Sequence, residues 1–140
     1  KIETLIGRSR KNRQLMSVTE ITGKKSITNY KTLKVFNIKD IPRISFLECK
    51  LETGRTHQIR VHMAYKGNSL LGDQQYGKKN LRFKKINEDF EGKLKILNRQ
   101  ALHAKSLGFI HPASKKLINF ESKLPVDFKK ILDLLNKLSN

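Results

Sequence analysis

Residues 51–62, with the sequence LETGRTHQIRVH, concentrate side chains that could do chemistry: two arginines, two histidines, a glutamine and two threonines. Arg55 lies just before a predicted helix, and Arg60 lies one turn into it. An arginine that is even partly buried needs a carboxylate or phosphate, which it binds best through two parallel hydrogen bonds. Because the nearby sequence offers few carboxylates, we expect Arg60 to face a carboxylate or phosphate outside this chain. The alternative is a surface helix with solvated arginines.

Other catalytic patterns are missing from the same stretch. His57 and His62 are five residues apart without an intervening Glu after the first, whereas a zinc-protease helix needs histidines four apart and that Glu. There is no nucleophile elbow and no Walker pattern, and one glycine before the helix gives only a weak phosphate cradle. The single cysteine, Cys49, excludes an internal disulfide and a cysteine-based zinc site. We therefore expect neither a metal nor a cofactor.

The elements around this stretch are mainly strands. Alternating, β-branched and aromatic residues predict strands at 15–21, 26–36 and 43–52, which short connections would join into an antiparallel meander. Two further runs, 102–110 and 116–122, flank the turn HPAS and predict a hairpin. Residues 1–13 end in GRSRKNR, a basic, turn-like segment. Residues 69–73 look like a short extended piece, and 74–98 look like a basic surface excursion.

Two helices are predicted. In the first, Thr56 would cap the amino end and Gly67 would lie just past the carboxyl end. The second covers 125–138, where apolar residues recur at helical spacing and Pro125 suits the first turn. The predicted fold class is therefore α+β: mostly antiparallel sheet with two helices.

The charge of the chain points to a polyanionic partner. The 140 residues include 30 Lys and Arg against 12 Asp and Glu, which gives a net charge of +18. Such a surface attracts nucleic acid first and anionic membrane second, although lysine-rich composition also accompanies AT-rich genomes. No apolar run is long enough to span a membrane, and the amino terminus does not resemble a signal peptide. We expect a cytoplasmic protein without membrane contact. Because the first residue is Lys1, we also expect a piece of something longer.

Three motifs, taken in order, carry a family resemblance. They are LETGRTHQIRVHMA with GNSLLGDQQYG, then RQALHAKSLGFIHPASKK, and upstream IGRSRKNRQLMSV with GKKSITNYKTLKVF. Together they resemble the carboxyl-terminal part of the catalytic domain of the RluA-like RNA pseudouridine synthases. The resemblance runs from about Ile6 to Pro125. It implies the pseudouridine synthase catalytic fold for residues 1–140, and a function in modifying large-subunit ribosomal RNA or, as a second candidate, tRNA.

The resemblance also implies a chemistry. The family isomerises uridine to pseudouridine without metal or organic cofactor, using an aspartate in an HRLD motif and a tyrosine that stacks on the flipped base. By motif position Arg60 would be the catalytic arginine that binds this aspartate. Neither HRLD nor the tyrosine segment occurs in this sequence, and Tyr30 and Tyr65 do not occupy the tyrosine's position. We therefore expect a fragment that lacks the nucleophile, is inactive alone and needs the missing amino-terminal half as a partner.

The remaining site residues follow from the same resemblance. Four residues at the start of the helix would face the RNA backbone or help to shape the pocket: Arg55, Thr56, His57 and Gln58. Leu102 would be an apolar contact near the bound base. Phosphate contacts are expected from Arg8, Arg10, Arg13, Lys24 and Lys25, each with a solvated basic side chain as the alternative. A cut through a sheet would leave an exposed edge or apolar patch, so self-association of the fragment is also expected.

Two other functions compete with this interpretation. The chain could be a basic RNA-binding module that has never done chemistry. It could also be a histidine-dependent hydrolase or nuclease, which would require metal-dependent cleavage of RNA. The motif around Arg60 favours the synthase, because a pure binding module has no need of that arginine.

Overall fold

A computed structural model describes residues 1–39, 42–77 and 88–139, and it shows an α+β fold. The strands are β1 Ile2–Arg8, β2 Met16–Thr19, β3 Lys24–Phe36, β4 Ile44–Leu51, β5 Ser106–Ile110 and β6 Leu117–Glu121. The helices are α1 Gln58–Tyr65, α2 Glu88–Leu97 and α3 Val126–Leu138. Four strands form one antiparallel sheet in the order β2-β1-β3-β4, and β5 pairs with β6 in a separate hairpin. The predicted fold class is confirmed.

The first strand, β1, was not predicted, and it changes the topology of the sheet. Ile2 and Ile6 are buried and alternate with more exposed residues, which is strand periodicity, but the basic, turn-like run that follows is the stronger local signal. β1 lies between β2 and β3 and pairs with both. The predicted meander is therefore wrong for β2 and β3. It is right for β3 and β4, which pair directly with a register shift between Thr32 and Lys34.

The hydrophobic core lies between the sheet and the two later helices. Its buried members are Phe36, Phe90, Leu97, Ile131, Leu134 and Leu135. Two of them, Phe90 and Leu97, belong to α2, so the prediction of a surface excursion is wrong for 88–97. The described residues thus contain three helices rather than two. Residues 78–87, the centre of the predicted excursion, lie outside the described residues.

Helix α1 is short and has well-defined ends. His57, not Thr56, is the residue before its first turn, and its backbone is left-handed at φ 57° with no side-chain cap bond. The carboxyl end agrees with the prediction, since Gly67 has φ 80°. The N–H groups of Gly67 and Asn68 donate to the carbonyls of Ala64 and Met63, which is a Schellman motif. The chain leaves this motif into a turn, not the short extended piece predicted for 69–73.

The predicted hairpin and carboxyl-terminal helix are confirmed. In β5 and β6, Leu107 faces Phe120 and Phe109 faces Ile118, so these four apolar side chains share one face, and most of that face is exposed. Helix α3 starts one residue later than predicted, with Pro125 preceding its first turn. No helix in the described part of the chain is long and apolar enough to cross a membrane.

Candidate active-site cluster

The guanidinium of Arg60 is held by a carboxylate of this chain. Its Nε and Nη2 donate to Oδ2 and Oδ1 of Asp73, each at 2.8 Å, and Nη2 also donates to Oε1 of Gln75 at 2.8 Å. Both members of the pair are buried, with 8% of Arg60 and 6% of Asp73 exposed. The expectation that the acid facing Arg60 lies only outside this chain is therefore wrong. The turn after α1 returns the chain to the helix, which brings an acid thirteen positions later back to Arg60.

Asp73 is itself fixed by the backbone of its own turn. The N–H groups of Gln75 and Tyr76 donate to its Oδ1 at 3.1 and 3.0 Å. Burial acts to raise the pKa of Asp73, but the hydrogen bonds from Arg60 and from these two N–H groups outweigh it and hold the pKa below its ordinary value. The hydrogen bond to Asp73 in turn raises the pKa of Arg60. The pair is therefore a charged, bidentate ion pair.

Tyr76 completes the cluster and was not predicted. Its ring lies beneath the guanidinium of Arg60, with 4.7 Å from Cζ to the ring centroid, which is a cation–π contact. Its hydroxyl lies 3.0 Å from Nδ1 of His57 and accepts a hydrogen bond from the N–H of Met16 at 3.0 Å. Asp73 and Tyr76 both come from the segment GDQQYG. That segment combines an acid and an aromatic ring between two glycines, a pattern that could have marked it as a functional turn.

Gln58 points inwards, under the cluster, and not towards solvent. Only 2% of it is exposed, and its Nε2 donates to the carbonyl of Ile27 and to Oγ1 of Thr28, each at 3.0 Å. Its Oε1 accepts from Oγ1 of Thr53 at 2.8 Å and from the N–H of Arg55 at 3.0 Å. A direct contact with the RNA backbone is therefore wrong for Gln58. Its hydrogen bonds join the start of α1 to β3, and a role in shaping the pocket stays a prediction.

His62 is also part of this buried network. It is fully buried, with Nδ1 2.8 Å from Oγ1 of Thr28 and Nε2 2.9 Å from Oγ1 of Thr4. Burial lowers its pKa below the ordinary value. These contacts tie α1 to β1 and β3, so the helix that carries Arg60 is anchored to the sheet by hydrogen bonds.

The other predicted residues at the start of α1 lie near the surface. Arg55 and Thr56 are exposed, and His57 is half-buried. Nε of Arg55 donates to the carbonyl of Lys25 at 3.2 Å, which joins the helix start to the start of β3. Nζ of Lys25 also pairs with Glu3 at 2.7 Å. The structure thus places Lys25 beside the helix start.

The basic residues near the β1–β2 connection form an exposed group. Arg8, Arg10, Arg13 and Lys24 are all exposed, and Nη1 of Arg8 donates to the carbonyl of Arg13 at 3.3 Å. Burial lowers the pKa of His57, and the nearby charge of Arg8 adds to that lowering. This side of the cluster is therefore strongly positive.

Leu102 is half-buried and lies next to the turn that carries Asp73. The preceding residue, Ala101, donates its N–H to the carbonyl of Leu71 at 2.7 Å, and Arg99 donates to the carbonyl of Leu102.

No group of His, Cys, Asp or Glu side chains suited to a metal ion occurs among residues 1–39, 42–77 and 88–139.

Comparison with known proteins finds relatives among the RNA pseudouridine synthases. The sequence profile described as RNA pseudouridylate synthase matches residues 1–65, which include β1 to β4 and α1. A ribosomal large subunit pseudouridine synthase D from Zymomonas mobilis is 42% identical over 135 residues, covering 96% of this chain and 39% of that protein. An uncharacterized RNA pseudouridine synthase from Bacillus subtilis is 43% identical over 136 residues, covering 97% of this chain and 39% of that protein.

A solved structure shows the same fold. Human RNA Pseudouridylate Synthase Domain Containing 1 superimposes with a TM-score of 0.63 at 27% identity, covering 89% of this chain and 47% of that one. The chain therefore has a pseudouridine synthase catalytic fold, and it is similar to RNA pseudouridine synthases along nearly its whole length. Its motifs resemble those of the RluA-like family. The chain spans about two fifths of the length of the curated relatives described above.

Proposed function

We propose that residues 1–140 are the carboxyl-terminal portion of the catalytic domain of an enzyme that isomerises uridine to pseudouridine in RNA. The buried arginine at the centre of the cluster is the observation that carries this proposal. Asp73 uses Nε and Nη2 of Arg60, which leaves the Nη1 edge outside that pair. In the complete enzyme this edge donates to the aspartate that the family carries upstream in HRLD.

The reaction needs that aspartate to stay ionised beside the flipped uridine. The glycosidic C–N bond breaks, the uracil turns over and a C–C bond forms, so the product is an isomer and no cofactor is consumed. A hydrogen bond from a guanidinium favours the charged form of a carboxylate. Because Asp73 already balances the charge of Arg60, the support of the upstream aspartate comes mainly from a well-aimed N–H donor. The Tyr76 ring and the Asp73 carboxylate fix that aim.

The substrate we propose is large-subunit ribosomal RNA, with tRNA as the second candidate, acted on in the cytoplasm. The net charge of +18 supports an RNA partner, and relatives of this chain are named for the large ribosomal subunit. The exposed arginines and lysines around the helix start are the proposed phosphate contacts: Arg8, Arg10, Arg13, Lys24, Lys25 and Arg55. Leu102 is proposed as an apolar contact near the bound base, and Thr56 and His57 as contacts to the RNA backbone.

We also propose that the preceding part of the domain covers the hairpin face formed by Leu107, Phe109, Ile118 and Phe120. Leu107 is 63% exposed and Phe120 56% exposed, and the rings of Phe109 and Phe120 stack with centroids 6.2 Å apart. A contiguous apolar face of this kind marks an interaction surface. In the isolated chain the same face would be covered by self-association. Light scattering on the isolated chain that shows only monomer at high concentration would contradict that expectation.

Tritium release from uridine-labelled ribosomal RNA tests the catalytic proposal. The isolated chain should release no tritium, because the nucleophile lies upstream. In the complete enzyme, Arg60→Ala should reduce turnover more than Arg8→Ala, since the first supports the nucleophile and the second contacts a phosphate. Turnover by the isolated chain would show that the nucleophile is misplaced, and equal losses from the two variants would refute the division of roles.

A non-catalytic RNA-binding module is the second candidate, and the internal partner of Arg60 favours it. The Arg60–Asp73 pair is complete within the chain, so burial of this arginine does not by itself require an upstream acid. The two functions are separated by the complete protein. A binding module would bind RNA in a salt-dependent manner and release no tritium. The synthase would bind RNA in the same manner and would also release tritium.

A further inference from the structure

Tyr76 contacts three parts of the cluster at once. Its hydroxyl lies 3.0 Å from the N–H of Met16 at the start of β2 and 3.0 Å from Nδ1 of His57. Its ring lies beneath Arg60 and meets the His57 ring edge-to-face, with centroids 5.6 Å apart and an angle of 76°. The left-handed backbone of His57, at φ 57°, turns its side chain to this contact. One hydroxyl therefore connects a strand to the residue that precedes α1.

The hydrogen bonds of this hydroxyl fix the direction of its proton. A phenol group donates one hydrogen bond and accepts in the remaining direction of the ring plane. The backbone N–H of Met16 can only donate, so it takes the accepting direction. The O–H group of Tyr76 can then donate to Nδ1 of His57 when that nitrogen carries no proton. A neutral imidazole that accepts at Nδ1 carries its own proton on Nε2.

We propose that Tyr76 is a positioning residue. Its hydroxyl holds His57 in the neutral Nε2–H tautomer, and Nε2–H donates a hydrogen bond to a phosphate oxygen of the RNA. This inference rests on the proposed function for its ligand, whereas its account of the tautomer stands on the geometry alone. Among the described residues, the ring of His57 has its hydrogen bond at Nδ1, so Nε2 remains for the RNA.

The electrostatic surroundings favour the same state. Burial lowers the pKa of His57, Arg60 and Arg8 lower it further, and Asp73 opposes them. The imidazole is therefore neutral at neutral pH. Arg8 supplies positive charge beside it, which attracts a phosphate, while the neutral Nε2–H supplies a directed donor.

Nuclear magnetic resonance tests the tautomer directly. Long-range ¹⁵N–¹H correlation spectra of the labelled chain at neutral pH should show His57 protonated at Nε2 and unprotonated at Nδ1. Tyr76→Phe keeps the ring beneath Arg60 and removes the hydroxyl, so His57 should become a mixture of tautomers. A wild-type His57 that is protonated at Nδ1, or doubly protonated, would overturn the proposal without any need for the variant.

RNA binding tests whether the hydroxyl acts through His57. The probe is a short fluorescent oligouridylate, titrated with the wild-type chain and with three variants: His57→Gly, which suits a positive φ, Tyr76→Phe and the double variant. Loss of one neutral hydrogen bond should weaken binding roughly two- to tenfold. The double variant should bind no more weakly than His57→Gly alone. His103→Ala, which removes an imidazole outside the cluster, is the control and should bind like the wild type.

Two binding results would overturn the proposal. Additive losses would show that Tyr76 acts on RNA independently of His57, and unchanged binding by His57→Gly would remove the phosphate contact. If the wild-type chain binds no oligouridylate, the phosphate contact fails together with the RNA-binding part of the proposed function. The spectra still decide the tautomer in that case, so the two failures are distinguishable.

Discussion

Breaking the buried ion pair Arg60–Asp73 should destabilise the chain far more than breaking the more exposed ion pair Arg99–Asp127. The buried pair is bidentate, with two bonds of 2.8 Å and a carboxylate side chain that has no exposed surface. Removing one partner of a buried pair leaves an unpaired charge and costs about 3–5 kcal/mol. In the second pair, Arg99–Asp127, a single nitrogen, Nη2 of Arg99, donates to both carboxylate oxygens at 3.2 and 3.0 Å, and both side chains are about one third exposed. A pair exposed to that extent is worth about 1 kcal/mol or less.

Double-mutant cycles separate the pair energy from the other contacts of each residue. The buried cycle uses Arg60→Met, Asp73→Asn and the double variant, and the exposed cycle uses Arg99→Met, Asp127→Asn and the double variant. Free energies of unfolding come from urea titrations followed by circular dichroism. Each single change at the buried pair should lower the free energy of unfolding by about 3–5 kcal/mol, which corresponds to a fall in Tm of about 10–20 °C. The double variant should be more stable than either single variant. A coupling energy at Arg60–Asp73 no greater than that at Arg99–Asp127 would refute the reasoning.

Three further predictions concern the framework around the cluster. Burial holds the pKa of His62 below 6.5, so as the pH drops from about 7 to 5 the unfolded chain is protonated at His62 before the folded chain is, and the free energy of unfolding should fall. In urea titrations, His62→Gln should lose less stability over that pH range than the wild type. An equal loss would contradict this prediction. Gly72 has φ +70° and a Cβ there would lie 2.3 Å from the carbonyl oxygen of Arg99, whereas Gly67 has φ +80° and open space. Gly72→Ala should therefore cost about 1 kcal/mol or more beyond Gly67→Ala in the same assay, and equal costs would refute the clash. Phe90→Ala should lower the free energy of unfolding by about 3–5 kcal/mol, because only 1% of Phe90 is exposed. A loss below about 1 kcal/mol would contradict the burial of α2.

Local patterns predicted those elements whose apolar residues follow a single period. The hairpin β5–β6 and helix α3 each show such a period along their whole length, so their bounds followed from the sequence to within a few residues. Strand β1 has the period only at Ile2, Thr4 and Ile6, and the basic run after it concealed the strand. Its place between β2 and β3 depends on pairing between distant segments, which a local pattern does not contain.

Helix α2 was missed for a different reason. Lysines dominate the segment 74–98, and their charge indicated a solvated surface. Phe90 and Leu97 nevertheless provide two apolar anchors, and these pack against the core formed with α3. Few apolar residues are enough to bury a helix on one side when a neighbouring helix supplies the rest of the contact. Composition therefore predicted the charge of this segment correctly and its burial incorrectly.

The site was predicted in part, and the missing part changes its electrostatics. The motif around Arg60 identified the central residue, but the partner Asp73 lies in a separate turn whose return to α1 depends on the tertiary fold. Under the proposed function, a solitary arginine would offer the proposed upstream aspartate a full positive charge, whereas an arginine already paired with Asp73 offers a fixed hydrogen-bond donor in a site with no net charge from the pair. Loss of Asp73 in the complete enzyme would thus free the charge of Arg60 but release its orientation. Because a hydrogen bond weakens steeply as its angle departs from linear, losing the orientation of Arg60 should matter more than freeing its charge. Under the proposed function, Asp73 therefore supports the upstream aspartate, although both carry a negative charge.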